Sequence, residues 1–132
     1  MKKAVIVEDF KLIADIWYAT LKEEGFETVE VVRNSDEVEA IIEKIDPSIV
    51  LMDINLPGRY NGLELTDMLL KKKPTLSILI LTIHTEPTYI HRAIESGAKG
   101  YVTKNSSLSE LKIAINEILK GNTYLCEEIR TN

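Results

Sequence analysis

The stretch SIVLMDINLPG, residues 48–58, decides the fold class. Its run from Ile49 to Met52 is continuously apolar, which is the pattern of a strand buried on both faces of a sheet. The letters LPG then supply a turn that ends the strand. Asp53 stands where the strand stops. Taken alone, an aspartate there is typical of a turn or of a helix start, so its role depends on the residues at the ends of the other strands.

Short apolar runs alternate with helical patterns along the whole chain. The runs predict strands at residues 4–7, 28–32, 48–52, 76–81 and 100–102. Apolar residues at helical spacing follow each run. Strict alternation predicts right-handed crossovers and a parallel sheet with helices on both faces, so the fold class is α/β.

Five helices are predicted between and after these strands, and their ends carry recognisable signals. They comprise a helix from Phe10 to about Glu24, one carrying Val38, Ile41, Ile42 and Ile45, one from Leu63 to about Lys72, one with Thr85 as N-cap that ends at Gly97, and one opened by a capping box of Ser107 and Glu110. The first helix is expected to bury one face, formed by Ile13, Ile16, Trp17 and Leu21.

The residues that follow the strands share one edge of the predicted sheet, where open parallel sheets bind ligands. They are Glu8, Asp9, Asp53, Thr82 and Lys104. Each one has an ordinary explanation as a solvated or structural residue. Three acids, a hydroxyl and an amine at one edge instead indicate a functional site. The second run ends at Arg33 and Asn34, which predicts an edge strand away from that site.

The charges of this set indicate its chemistry. Two carboxylates about 4 Å apart repel by roughly 1 kcal/mol in water and by about 4 kcal/mol at an effective dielectric near 20. Three acids therefore call for a cation, and oxygen ligands suit Mg²⁺, which commonly joins carboxylates to a phosphate. An aspartate can form an aspartyl-phosphate. Asp53 is then the predicted acceptor, and Lys104 and Thr82 are predicted to hold the phosphoryl oxygens.

Four motifs resemble the receiver domain of two-component response regulators. They are VED at 7–9, LMDINLPG at 51–58, ILT at 80–82 and GAKGYVTK at 97–104. The resemblance covers residues 3 to about 120. It implies a flavodoxin-like (βα)5 three-layer sandwich with a parallel five-stranded sheet of order 2-1-3-4-5.

The resemblance also implies a role for each site residue. Asp53 is expected to be phosphorylated by a sensor histidine kinase, with Lys104 pairing with the phosphate. A Mg²⁺ ion is expected to bind Glu8, Asp9, Asp53 and the main-chain carbonyl of Asn55. Thr82 and Tyr101 are expected to form a conformational switch. A chain of this kind is a phosphoacceptor signalling domain that catalyses only its own phosphorylation and dephosphorylation.

Residues 80–125 are most similar to receivers that precede a LuxR-type helix-turn-helix domain. The resemblance implies control of transcription through an appended DNA-binding domain outside these 132 residues, and homodimer formation on phosphorylation. We expect residues 1–121 to form the receiver domain and residues 122–132 to be a tail or the start of a linker.

Three positions depart from the family pattern. The turn PGRYNG, residues 57–62, is one residue longer than is usual. Asn105 follows the lysine where many members have a cis proline, and we expect a trans bond because a cis bond before a non-proline residue costs about 3–4 kcal/mol. Ile83 replaces a small residue, which is expected to narrow access to the phosphoryl group and alter its lifetime.

Composition excludes several classes of partner and location. A net charge of −5 and a pI of about 5.1 argue against direct binding to DNA or an anionic membrane. Cys126 is the single cysteine, so no intramolecular disulfide can form, in agreement with a cytoplasmic protein. The first apolar stretch ends after Val7, too soon for a signal peptide. No stretch approaches the roughly 20 apolar residues of a membrane span.

Three other functions use a related fold. A haloacid-dehalogenase-like phosphatase generally needs a second aspartate where Asn55 stands. A flavodoxin-like electron carrier needs a loop rich in glycine and hydroxyls where the letters EDF stand. A pseudo-receiver would serve only as a docking module, although all the site positions are filled here. His84 and His91 are disfavoured as metal ligands because they lie seven apart without a partner cysteine.

Overall fold

The computed structural model describes residues 2–130, which contain one six-stranded parallel sheet of order β2-β1-β3-β4-β5-β6. The strands are β1 (Lys3–Val7), β2 (Thr28–Val32), β3 (Ile49–Met52), β4 (Ile78–Thr82), β5 (Gly100–Thr103) and β6 (Tyr124–Leu125). The flavodoxin-like parallel sheet is thus confirmed, with β2 at one edge as predicted.

Helices cover both faces of the sheet. They are α1 (Lys11–Glu23), α2 (Val38–Ile45), α3 (Gly62–Lys72), α4 (Pro87–Ser96), α5 (Leu108–Leu119) and α6 (Glu127–Arg130), and a single 3-10 turn (Ser35–Glu37) precedes α2. Buried residues of α2, α3 and α4 pack in one apolar cluster, and those of α1 and α5 pack in another. The sheet lies between the two clusters, so the three-layer arrangement is also present.

Strand β3 shows why its sequence is apolar at every position. Val50 and Met52 belong to the cluster beneath α2, α3 and α4, whereas Ile49 and Leu51 belong to the cluster beneath α1 and α5. All four residues are completely buried. A strand that packs on both faces has no exposed side on which polar residues are tolerated.

The predicted number of strands was wrong, because a sixth strand pairs with β5. The Tyr124 amide donates to the Lys99 carbonyl at 2.9 Å, and the Cys126 amide donates to the Tyr101 carbonyl at 3.1 Å. A strand of two residues is too short to produce a detectable hydrophobic period. The domain boundary predicted after Gly121 stays a prediction.

Two details of the predicted helices were also wrong. Helix α4 uses Glu86 rather than Thr85 as its N-cap, because Pro87 occupies the first helical position, where its fixed backbone angle fits. In α1, Ile16 is 40% exposed. The smaller Ala14 takes part of the buried face in its place.

The capping box predicted for α5 is only half formed. The Ser107 hydroxyl accepts from the Glu110 amide at 3.1 Å, as a capping serine should. The Glu110 carboxylate does not return to the Ser107 amide. It accepts instead from the Tyr124 hydroxyl at 2.8 Å and from the Glu127 amide at 2.7 Å.

The lengthened turn after β3 is fixed by the 3-10 turn. The Arg59 amide donates to the Asp36 carboxylate and the Tyr60 amide donates to the Ser35 hydroxyl, both at 3.0 Å. Every peptide bond in the described part of the chain is trans, including the one before Asn105, as expected. No helix within residues 2–130 is long and apolar enough to cross a membrane.

Gly62 connects the fold to the end of β3 and permits a stringent test. It begins α3, its amide donates to the Ile54 carbonyl at 2.8 Å, and a Cβ there would collide with the Asp53 carbonyl oxygen. We expect Gly62→Ala to lower the free energy of unfolding by about 3 kcal/mol, because backbone atoms cannot move aside as a flexible side chain can. Chemical denaturation measures this loss.

Gly121→Ala is the control for this substitution. Gly121 has a φ of +95° but nothing within 4 Å of its would-be Cβ, so we expect only the left-handed backbone cost of about 1–2 kcal/mol. A loss at Gly62 no larger than at Gly121 would contradict the close approach of α3 to the end of β3.

Candidate functional site

The carboxyl ends of β1, β3 and β5 border an open pocket of about 430 Å³. It is lined by Glu8, Asp9, Phe10, Lys11, Asp53, Asn55, Ile83 and Lys104. Parallel pairing places these strand ends at one edge of the sheet. Five of the predicted site residues therefore meet in one pocket, and Ile83 stands at its rim with 66% of its surface exposed.

Asp53 is held at the pocket floor by backbone hydrogen bonds. Its amide donates to the Val7 carbonyl at 3.0 Å, which extends the pairing between β1 and β3 by one residue. Its Oδ1 accepts from the Ile54 amide at 2.8 Å. The side chain is only 2% exposed. This burial raises the pKa of the Asp53 carboxyl above its ordinary value, although the nearby Lys104 charge opposes the rise.

Glu8 is a second buried carboxylate beside Asp53. It is completely buried, and its Oε2 accepts from the Phe10 amide at 3.1 Å. Burial raises the pKa of Glu8, and its hydrogen bond to Lys104 offsets part of the rise. The adjacent Asp9 is exposed to solvent at the pocket mouth.

Lys104 contacts both buried carboxylates. Its Nζ lies 2.6 Å from Glu8 Oε1 and 3.2 Å from Asp53 Oδ2. Burial lowers the pKa of Lys104, but the hydrogen bond to Glu8 and the charge of Asp53 outweigh that effect and raise the pKa above its ordinary value. The ammonium group also lies 5.7 Å from the ring centroid of Trp17 on α1. The pocket therefore contains a fixed positive charge.

The three acids form a ligand set that fits a hard divalent cation. Glu8, Asp9 and Asp53 each place one carboxylate oxygen within 4.8 Å of the others. Lys104 supplies one positive charge against their three negative charges. Oxygen donors with room for bound water suit Mg²⁺, which seldom takes all its ligands from protein. The predicted acidic cluster is thus present, and its chemistry agrees with the predicted metal.

Thr82 and Tyr101 both form hydrogen bonds with the backbone of His84. The Thr82 hydroxyl accepts from the His84 amide at 3.3 Å, and the Tyr101 hydroxyl donates to the His84 carbonyl at 2.8 Å. Both side chains are buried, and neither lines the pocket. Burial, with a contribution from the Glu86 charge, raises the pKa of the Tyr101 phenol, which stays protonated.

The sequence does not predict that His84 joins Thr82 to Tyr101, because this histidine is considered there only as a metal ligand. The His84 Nε2 lies 3.1 Å from Asn55 Oδ1, and its ring stacks on Tyr89 with the ring centroids 4.3 Å apart. Asn55 and His84 are 29 residues apart, and no spacing rule in a single sequence connects two such positions.

Comparisons with known proteins agree with this geometry. The family model described as "Response regulator receiver domain" matches residues 4–116. The chain is 30% identical to the transcriptional regulatory protein DegU of Brevibacillus brevis over 129 residues, which are 97% of this chain and 54% of DegU. It is 30% identical to the response regulator GacA of Pseudomonas aeruginosa over 130 residues, 98% of this chain and 60% of GacA.

A solved structure shares the fold over nearly the whole chain. It is a two-component response regulator of the LuxR family from Aurantimonas sp. SI85-9A1, with a TM-score of 0.91 at 29% identity, covering 98% of this chain and 92% of that one. The present chain spans little more than half the length of the two curated relatives. The chain belongs to the receiver domain family of two-component response regulators and is related to its LuxR-family members.

Proposed function

We propose that this chain is a cytoplasmic phosphoacceptor that takes a phosphoryl group from a sensor histidine kinase onto Asp53. The observation that supports it best is the buried Asp53 carboxylate, which lies beside the acids Glu8 and Asp9 and 3.2 Å from the ammonium group of Lys104. A buried aspartate with a fixed cation beside it is suited to act as a nucleophile towards phosphorus.

In the proposed transfer, a carboxylate oxygen of Asp53 forms a bond to phosphorus while the bond from phosphorus to the kinase histidine breaks. The leaving imidazole keeps the electron pair of the broken bond. Lys104 faces the growing charge on the phosphoryl oxygens from its position 3.2 Å from Asp53 Oδ2. The Ile54 amide holds the other carboxylate oxygen and so orients the nucleophile.

Glu8, Asp9, Asp53 and the main-chain carbonyl of Asn55 are the proposed Mg²⁺ ligands. When bound, the ion supplies positive charge that offsets the acids and the incoming phosphoryl group. The proposed output is control of transcription through a DNA-binding domain outside these residues, since the relatives include a protein named a transcriptional regulatory protein. A second receiver is the proposed partner after phosphorylation.

We expect the protein to gain one phosphoryl group from acetyl phosphate in the presence of Mg²⁺, and none in EDTA, because an anionic donor is repelled by three uncompensated carboxylates. Intact mass measures the gain, and peptide mapping locates it. Asp53→Asn should abolish it. Asp67→Asn, which alters an aspartate paired with Lys71 on the surface, is the matched control and should be labelled normally. Equal labelling in EDTA, or undiminished labelling of Asp53→Asn, would contradict the proposal.

Asp53→Asn is also expected to stabilise the metal-free protein at neutral pH, by about 1 kcal/mol, because it removes one of two buried like charges while Glu8 still neutralises Lys104. Burial raises the folded-state pKa of Asp53. Wild-type stability is therefore lost as pH rises through that folded-state pKa, and the difference from the variant should vanish below about pH 3.9, the unfolded value. Thermal melts in EDTA at several pH values measure both effects.

Asp67→Asn should behave in the opposite sense in the same melts. Its hydrogen bond to Lys71 lowers the pKa of Asp67, so ionisation there favours the folded state. We expect this variant to melt no higher than the wild type at neutral pH. If Asp53→Asn melted clearly below the wild type, the crowded buried charges could not be a stability cost.

We further propose that Thr82 and Tyr101 transmit the phosphorylation state to the surface formed by α4, β5 and α5. Both hydroxyls contact the backbone of His84, Thr82 at its amide and Tyr101 at its carbonyl, so a displacement of Thr82 towards phosphoryl oxygens disturbs the residue that holds Tyr101. Tyr101 is already turned inward in this structure, with 1% of its surface exposed. Phosphorylation is expected to raise the population of this state rather than create it.

Thr82→Ala tests the switch separately from phosphate acceptance. This variant should still be labelled by acetyl phosphate, but beryllofluoride, a phosphoryl mimic, should change the amide chemical shifts of residues 84–104 far less than in the wild type. Thr88→Ala, at an exposed threonine of α4, is the control and should respond fully. A wild-type response confined to the loops around Asp53 would show that no such switch operates.

A further inference from the structure

Residues 122–130, here the C-terminal segment, are attached to β5 along its outer edge. The amides of Tyr124 and Cys126 donate to the carbonyls of Lys99 and Tyr101 at 2.9 Å and 3.1 Å. Leu125 is the register partner of Tyr101. Cys126 is completely buried in the cluster beneath α1 and α5. The segment is therefore packed on the domain.

Two side-chain contacts fix the segment at further points. Glu110 accepts from the Tyr124 hydroxyl and from the Glu127 amide, which is why its capping box is incomplete. The Thr103 hydroxyl donates to Glu128 Oε1 at 2.6 Å. Thr103 immediately precedes Lys104, whose ammonium group contacts both buried acids of the pocket. The segment thus contacts β5 beside the switch tyrosine and beside the pocket lysine.

A groove of about 230 Å³ separates the C-terminal segment from α4. Its walls include Ala93, Ile94, Tyr101, Thr123 and Leu125. Because Tyr101 forms one wall, this groove is open space beside its ring. Leu125 and Thr123 border that space from the side of the segment. The docked segment therefore limits the space into which the Tyr101 ring can move on this side.

We propose that the C-terminal segment acts as an internal ligand of the switch, docking on β5 most tightly when Tyr101 is turned inward. The assignment rests on the switch proposed above, in which the inward tyrosine accompanies phosphorylation. A segment that binds one of two states more tightly shifts their populations, and the phosphoryl group must strengthen docking by the same factor. Through β5, the phosphorylation state would then reach the C-terminal segment and the DNA-binding domain proposed above.

The experiment uses the 132-residue chain and measures two effects: that of beryllofluoride on docking of the segment, and that of the segment on beryllofluoride affinity. Trp17 is the single tryptophan, and its ring lies 5.7 Å from the Lys104 ammonium group, so its fluorescence reports beryllofluoride bound with Mg²⁺. In the wild type, beryllofluoride should slow hydrogen exchange of the Tyr124 and Cys126 amides by about fivefold or more. Leu125→Ala, which loosens the segment, should weaken beryllofluoride affinity by a similar factor.

Two further variants separate coupling from general damage. Tyr124→Phe removes only the hydroxyl that donates a hydrogen bond to Glu110. This variant should also bind beryllofluoride more weakly than the wild type, but by a smaller factor than Leu125→Ala. Ile113→Ala shortens an aliphatic side chain of α5 that is 53% exposed and does not line the groove, and its affinity should match the wild type.

The outcomes distinguish this inference from the proposed function. If Trp17 reports beryllofluoride binding but the Tyr124 and Cys126 amides exchange at an unchanged rate, the coupling is overturned and the phosphoacceptor function stands. The same holds if Leu125→Ala frees the segment yet binds beryllofluoride with wild-type affinity. If beryllofluoride does not bind the wild type at all, the proposed function fails and the inference fails with it.

Discussion

The burial of two carboxylates around one lysine is the constraint on which the site depends. Asp53 and Glu8 are almost fully shielded from water, and Lys104 contacts both of them. Burial raises the pKa of each acid, so their ionised forms are held at a cost to the folded state. The surrounding parallel sheet must supply that free energy, because its strand ends fix the positions of these side chains. A strained charge arrangement of this type responds strongly to a cation or to a phosphoryl group.

The hydrogen bonds of a single residue, His84, link the strand ends beside this charged pocket to α4 and β5. His84 donates from its amide to Thr82 and accepts at its carbonyl from Tyr101. Its ring meanwhile contacts Asn55 and stacks on Tyr89 of α4. The loop after β4 therefore contacts the loop after β3, helix α4 and strand β5 through one residue. A change at the pocket floor can reach α4 and β5 over a path of only a few hydrogen bonds.

The outer edge of β5 shows how local preferences yield to tertiary contacts. A glutamate three residues after a capping serine would ordinarily bond back to the serine amide, yet Glu110 binds Tyr124 and the Glu127 amide. Both hydrogen bonds reach the same carboxylate oxygen, Oε2, and the outer edge of β5 is covered by β6. An uncovered β5 would present unpaired backbone groups that invite pairing with another chain. The same contacts place Leu125 next to Tyr101, so the segment that covers the edge of β5 also lines the groove beside that tyrosine.

The sequence by itself determined the parallel α/β architecture and the set of residues at the strand ends, and its resemblance to receiver domains implied the order of the first five strands. Continuous apolar runs such as Ile49–Met52 require burial on both faces, and alternation with helices then requires parallel strands joined by right-handed crossovers. Only the tertiary structure decided that Tyr124 and Leu125 extend the sheet, that Glu110 leaves its capping box, and that His84 joins Thr82 to Tyr101. These features depend on contacts between residues far apart in the chain, whose free energies arise only when the sheet is assembled. Periodicity and capping rules concern residues that are a few positions apart in the sequence. They contain no information about contacts between residues that are far apart in the chain.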